Sequence, residues 1–142
     1  MNAPLYTTDI LRLAASLAEF RQLEREDGRA EVRSPTCGSR LTLAVQLDES
    51  GQVKCVSQQV HACAFGQASA ALMEQGAAGR GHADAAQALV ALSAWLAGER
   101  EDSGDWPGLS ALEPARSRKS RHGAILLPFR ALLAAMEPSP DG

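Results

Sequence analysis

Leu41, Leu43, Val45 and Leu47 alternate with Arg40, Thr42, Ala44 and Gln46. That two-residue period predicts a half-buried strand. Asp48 to Gly51 reads as a turn, with Gly51 free to adopt positive φ. A returning strand follows from Gln52 to Ala62, its pattern less clean, with Val53, Val56 and Val60 as β-branched members. The stretch AEVRS, Ala30 to Ser34, supplies a short third strand. On both sides the period lengthens. Ile10, Leu13, Leu17 and Phe20 form one face of a helix predicted over Thr7 to Leu23, capped by Thr7 or Thr8 with Asp9 at its positive end. Gly28 ends that pattern. A second helix runs from Ala64 to Gly76, and a third from His82 to Glu99 with Ala85, Leu89, Leu92 and Leu96 on one face. Arg100 to Ser120 reads as a long polar connection broken by Gly104, Pro107, Gly108 and Pro114. A last helix covers Ala124 to Met136 with Pro128 in its first turns, and Glu137 to Gly142 reads as a disordered tail. The expected class is α+β: a small antiparallel sheet of about three strands with helices packed on one face.

Composition narrows this picture. The 142 residues suit a single domain, and 45% apolar content is enough for a core. A net charge of −3 argues against bulk binding of nucleic acid. No apolar run reaches the roughly 18 residues of a membrane span. MNAPLYTTDI has neither a basic nor an apolar region of a signal peptide, so a cytoplasmic protein is expected. Three cysteines are odd in number and too few to staple the chain, which favours free thiols or ligand thiolates.

Those cysteines are Cys37, Cys55 and Cys63. A hairpin brings Cys37, at the start of the long strand, and Cys63, at the end of the returning one, to the same end of the sheet. Cys63 also opens a helix, where free N–H groups and the dipole stabilise a thiolate. Both can be ligands or nucleophiles; both can equally be small buried apolar groups, the commonest fate of a free cysteine. Cys55 lies eight residues before Cys63 in the same strand, on the order of 26 Å away, and reads as packing or an incidental thiol. His61 shares a side with Cys63 only if the strand extends that far. His82 reads as a helix-start residue without a partner, and His122 precedes the last helix.

Pro35-Thr36-Cys37-Gly38, then Cys63 followed by the small residues Ala64, Ala68, Ser69, Ala70 and Ala71, then His122-Gly123 before AILLPFRALLAAM, together resemble the iron–sulfur cluster scaffold family of the IscU/NifU type. The long connection between Cys63 and His122 is similar to the SufU branch. The resemblance implies the scaffold fold, metal or cluster binding at Cys37, Cys63 and His122, and Cys63 as sulfur acceptor. It implies a cysteine desulfurase and recipient or carrier proteins as partners, a transient iron–sulfur cluster or zinc as cargo, and a monomer or weak dimer that is not an enzyme. Two family positions differ. Ser39 stands where the family has aspartate, and Gly123 where it has a third cysteine. A serine hydroxyl is a poor ligand at neutral pH, whereas clusters are held by thiolates with histidine as an occasional substitute. Zinc accepts three such ligands plus water. The basic run Arg116, Arg118, Lys119, Arg121 is either a solvated loop or a docking patch for an acidic partner. A site-degenerate member acting only as a partner-binding or regulatory module is the alternative; a catalytic Cys–His pair is a third reading without further support.

Overall fold

The structure, a computed structural model, describes residues 6–34 and 38–137. Within them the chain runs α1 (Thr8–Ala15), β1 (Gly28–Arg33), β2 (Arg40–Leu47), β3 (Val53–His61), α2 (Ala64–Ala77), α3 (His82–Leu96), a 3-10 helix (Leu109–Ala115) and α4 (Lys119–Ala135). The three strands form one antiparallel sheet in the order β1-β2-β3. The α+β class and the three-stranded sheet are as the periodicity predicts.

Register explains the irregular pattern of β3. Gln46 pairs with Cys55 but Leu47 pairs with Val53, leaving Lys54 as an extra residue. Such a bulge shifts the alternation by one, so Val53 and Val56 can both be buried. On the inner face Val32, Leu41 and Val60 align across the three strands, as do Val45 and Val56 with Gly28. α2 packs this face along β3, and α4 packs it along β1 and β2. Gly28 allows that approach: a Cβ there would overlap the Ala135 carbonyl oxygen. The core joins Leu41, Leu43 and Val45 to Phe65 and Met73 of α2 and to Ile125, Phe129 and Leu132 of α4.

Four expectations need correction. The first helix ends at Ala15, not Leu23. Thr7 caps it through Oγ1, which accepts from Ile10 N at 3.2 Å. Beyond Ser16 the chain is used differently, because it crosses the outer face of the sheet. Arg21 N donates to the Ser57 hydroxyl at 2.7 Å, Leu23 is buried, and Asp27 N donates to Val45 O. Phe20 is consequently 43% exposed rather than part of an apolar face. Tertiary hydrogen bonds have overridden helical spacing here.

The polar connection is the second correction. It holds the 3-10 helix, whose Leu109, Leu112 and Ala115 are buried, and Trp106, which is 3% exposed. Trp106 Nε1 donates to Leu72 O at 3.0 Å, and its ring meets Phe129 edge-on. α2 ends at Ala77, one residue beyond the expected Gly76, and Gly76 makes room for the indole: a Cβ there would sit 2.6 Å from Trp106 Nε1. Third, α4 starts at Lys119, so His122 is within the helix and Pro128 is deep inside it. Pro128 cannot donate to a carbonyl one turn back. That carbonyl is Ala124 O; at the next one along, Ile125 O, the buried Ser69 hydroxyl donates at 2.6 Å and ties α2 to α4. Fourth, His82 has a partner: its Nε2 is 3.3 Å from Glu137 Oε1. The rest of the expected tail lies outside the described residues. No helix among the described residues is long and apolar enough to cross a membrane.

Candidate metal and sulfur site

Cys63 comes two positions after the last strand residue, His61, and serves as N-cap of α2, with extended backbone at φ −65° and ψ 173°. Its side chain makes no capping hydrogen bond, and the first turn of α2 carries no acidic residue. Unpaired N–H groups therefore face the region of a half-buried sulfur. Its carbonyl accepts the first helical bond, from Gln67 N at 2.9 Å.

Gly66, one turn into α2, determines what stands next to this thiol. A Cβ there would be 2.6 Å from Ala62 Cβ and 3.2 Å from Ala124 Cβ. The first turn of α2 is thus nearly in backbone contact with the second turn of α4, where Ala124 immediately follows His122 and Gly123. The structure brings the Cys63 end of α2 to the helical turn that holds the expected histidine and the position of the absent third cysteine.

His122 is half-buried, and its Nε2 lies 2.9 Å from Ala115 O and 3.1 Å from Arg116 O. Carbonyl oxygens only accept, so Nε2 carries the proton and donates. The lone pair is then on Nδ1, the nitrogen that could ligate a metal. The two carbonyls belong to the end of the 3-10 helix, so a segment expected to be unstructured orients the imidazole.

Cys37 lies outside the described residues. Its flanks do not: Ser34 N donates to Ser39 O at 2.8 Å and Gly38 N donates to Ser34 O at 3.1 Å. Ser39 is 5% exposed. Arg40 pairs with His61 across the next ladder, so this connection is at the same end of the sheet as Cys63. Among the described residues, no three His, Cys, Asp or Glu side chains gather as a metal-binding group.

The basic run divides. Arg116 is committed internally: Nε donates to Trp95 O at 2.8 Å, Nη2 to Arg100 O at 3.1 Å, and its guanidinium stacks on Trp95. Arg118 and Lys119 are exposed and Arg121 is half-buried at the start of α4, where no acidic residue offsets the helix dipole. Sequence reasoning missed a second basic group. Arg33, Arg40 and His61 stand side by side in register on the outer face, all exposed. Arg33 pairs with Glu31 at 3.1 Å, while Arg40 has no ion pair among the described residues. Only the strand register could have shown this row, because the three are far apart along the chain. Cys55 is at the opposite end of β3, half-buried, with Sγ 3.7 Å from Gln46 Oε1.

Comparison with known proteins agrees with this fold. The family model of the NifU-like N terminal domain matches residues 5–95, more than half of the chain. A solved structure of a nitrogen-fixing NifU-like protein (N-terminal) from Brucella abortus is similar at 30% identity and TM-score 0.84, covering 93% of this chain and 92% of that one. A putative iron–sulfur cluster assembly scaffold protein for the SUF system from Fervidobacterium islandicum AW-1 shares the fold at 21% identity and TM-score 0.81, over 94% of this chain and 97% of that one. No curated protein matches the sequence. By the extent of the family match and the identity to the Brucella structure, the chain belongs to the family of the NifU-like N terminal domain.

Proposed function

We propose that the protein is a scaffold for iron–sulfur cluster assembly, taking sulfur at Cys63 and holding iron, a nascent cluster or zinc through Cys37, Cys63 and His122. The observation that carries this reading is Cys63 as an uncapped helix-start thiol beside the His122 turn of α4, within a NifU-like fold. The iron and sulfur are cargo. Sulfur arrives when the Cys63 thiolate attacks the outer sulfur of a persulfide on a cysteine desulfurase. The new S–S bond forms as the old one breaks, and the desulfurase thiolate leaves with the electron pair. His122, with its proton fixed on Nε2 by two carbonyls, offers Nδ1 as a neutral ligand. The protein carries its cargo to recipient or carrier proteins in the cytoplasm rather than turning over a substrate. Arg118, Lys119 and Arg121 form the patch that docks an acidic partner surface.

Ser39 and Gly123 support a second reading, in which the fold docks the desulfurase without building clusters. Iron, sulfide and zinc analysis of anaerobically purified protein separates the two, run beside a Cys37→Ser/Cys63→Ser double variant. Iron with sulfide in the parent protein only is the expected result. Zinc alone would indicate a closed or resting site. A folded protein with no metal and no sulfide, still retaining desulfurase binding, would replace the scaffold reading with the second one.

A further inference from the structure

One side of α3 is committed to the protein: Ala85, Ala88, Leu92, Trp95 and Leu96 are buried, and the helix packs on α4 and the 3-10 helix. The other side meets water without a single charge. Ala83, Gln87, Val90 and Ser93 are exposed there, and Ala86 and Ala94 are half-buried. The one acid of the helix, Asp84, is used at its start, where Oδ2 accepts from Gly81 N at 2.9 Å. A solvated helix face ordinarily carries charged and polar residues. Val90, at 68%, is instead the most exposed large apolar side chain among the described residues. A cleft of about 470 Å³ runs along this face, between α3 and the segment that leads to Trp106, with Gln87 and Val90 in its wall.

The charges stand beyond the two ends of the helix, and each is at the unfavourable end for its own dipole. Arg80 precedes the N-terminus, and Glu99 and Glu101 follow the C-terminus. Arg80 is held in place: Nε donates to Gly76 O at 3.1 Å, and the guanidinium lies 4.8 Å from the centre of the Trp106 ring. It nevertheless makes no ion pair among the described residues, and neither do Glu99 and Glu101. Arg100, between the two acids, is engaged by Asp102 at 2.6 Å, and His82 by Glu137 at 3.3 Å.

We propose that this face is a dimer interface, on which α3 packs antiparallel against α3 of a second copy of the chain. With a two-fold axis at Val90, that residue meets its own copy, Ala86 faces Ala94, Ala83 faces Ala97, and the Gln87 amide faces the Ser93 hydroxyl. Small residues oppose small ones, so the helix axes can approach to about 8 Å. Past the helix ends, Arg80 of each copy comes to Glu99 and Glu101 of the other. Charges that oppose the dipole within one chain then lie beside the complementary end of its neighbour. An isologous contact requires a surface that is its own complement, and in apolar, polar and charged positions alike this one is. A helix of 15 residues is about 22 Å long, so the contact belongs to the small, reversible class. The interface does not depend on the scaffold reading.

The test is sedimentation equilibrium of the full-length protein under reducing conditions, from about 1 μM to about 500 μM. A monomer–dimer equilibrium is expected. Val90→Asp, an exposed position checked for folding by circular dichroism, sets two carboxylates at the axis and should raise the dissociation constant at least ~10-fold. Glu99→Lys with Glu101→Lys should raise it about 3-fold at low salt and less at high salt. A cross-link reads the same contact without an added charge. With Cys37, Cys55 and Cys63 replaced by Ser, Val90→Cys should form an interchain disulfide at least ~10-fold faster than Leu11→Cys, which is 51% exposed on α1. A monomer at every concentration, a dimer of unchanged affinity in folded Val90→Asp, or equal cross-linking of the two cysteine variants would each overturn the proposal.

Discussion

A half-buried thiol lies near either end of β3, Cys55 within it and Cys63 just beyond it, and the two thiols have almost nothing else in common. Cys63 stands where a strand becomes a helix. It faces backbone N–H groups and is held beside α4 by the absence of a side chain at Gly66. Cys55 stands beside a bulge in a polar cleft, with an amide as its partner and long flexible charges around it. The first environment is built from backbone and cannot rearrange without moving helices. The second is built from side chains and can adapt to what enters it. A rigid setting suits a ligand or sulfur acceptor, whose geometry must be ready before cargo arrives. An adaptable one holds no such geometry. Burial alone would have ranked the two cysteines as equals.

The largest expected effect tests this division directly. Cys63→Ser should abolish iron and sulfide loading while Cys55→Ser leaves it intact, as measured on anaerobic protein. Loss in both variants would mean that the two ends are not functionally separate. Next in size is Gly66→Val, which forces side-chain atoms into Ala62 and Ala124. Overpacking at this contact should cost about 3 kcal/mol in urea unfolding and lower metal loading, with Cys55 reactivity toward disulfides unchanged. Charge reversal at the start of α4, Arg118→Glu with Lys119→Glu, should do two opposed things. Acids complement the helix dipole, so stability rises by roughly 0.5–1 kcal/mol. Desulfurase affinity falls about 10-fold in a binding titration, and an unchanged affinity would remove these residues from the docking face.

The smallest effect belongs to the Cys55 end. Burial holds the Glu74 carboxyl above the usual range, against a weak hydrogen bond from Gln58 and the charge of Arg21. A carboxyl whose folded value is raised contributes stability below its unfolded value and loses it as pH rises through the folded one. Ionised Glu74 is therefore a cost at neutral pH. Glu74→Gln keeps an acceptor for Gln58 without the charge. Its thermal midpoint should exceed the parent protein's at pH 7, and the advantage should fade as pH is lowered toward 4.5. A pH-independent difference would show that packing, not ionisation, sets it. Asp27 behaves in the opposite sense. Leu47 N–H, and then Arg25, hold its carboxyl below the usual range, so its contribution is present above the unfolded value and lost in acid.

By itself the sequence determined the three strands, the hairpin turn at Gly51 and the helices of the second half. Hydrophobic period is a local property, and burial of one face enforces it. It also placed Cys63 at a helix start, because a strand pattern stops and a small-residue helix begins within a few positions. The end of α1 could not be read locally. Leu17 and Phe20 keep helical spacing, but Arg21 and Asp27 find main-chain and hydroxyl partners on the sheet. Nor could the segment from Arg100 to Ser120, where turn residues conceal Trp106, Leu109 and Leu112, apolar groups whose burial depends on partners in α2 and α4. Only the tertiary structure gave His122 its orientation, through the carbonyls of Ala115 and Arg116, and aligned Arg33, Arg40 and His61 in one row. Which side chains could do chemistry was written in their identities. Which of them share a place followed from strand register and from two helices meeting where a side chain is missing.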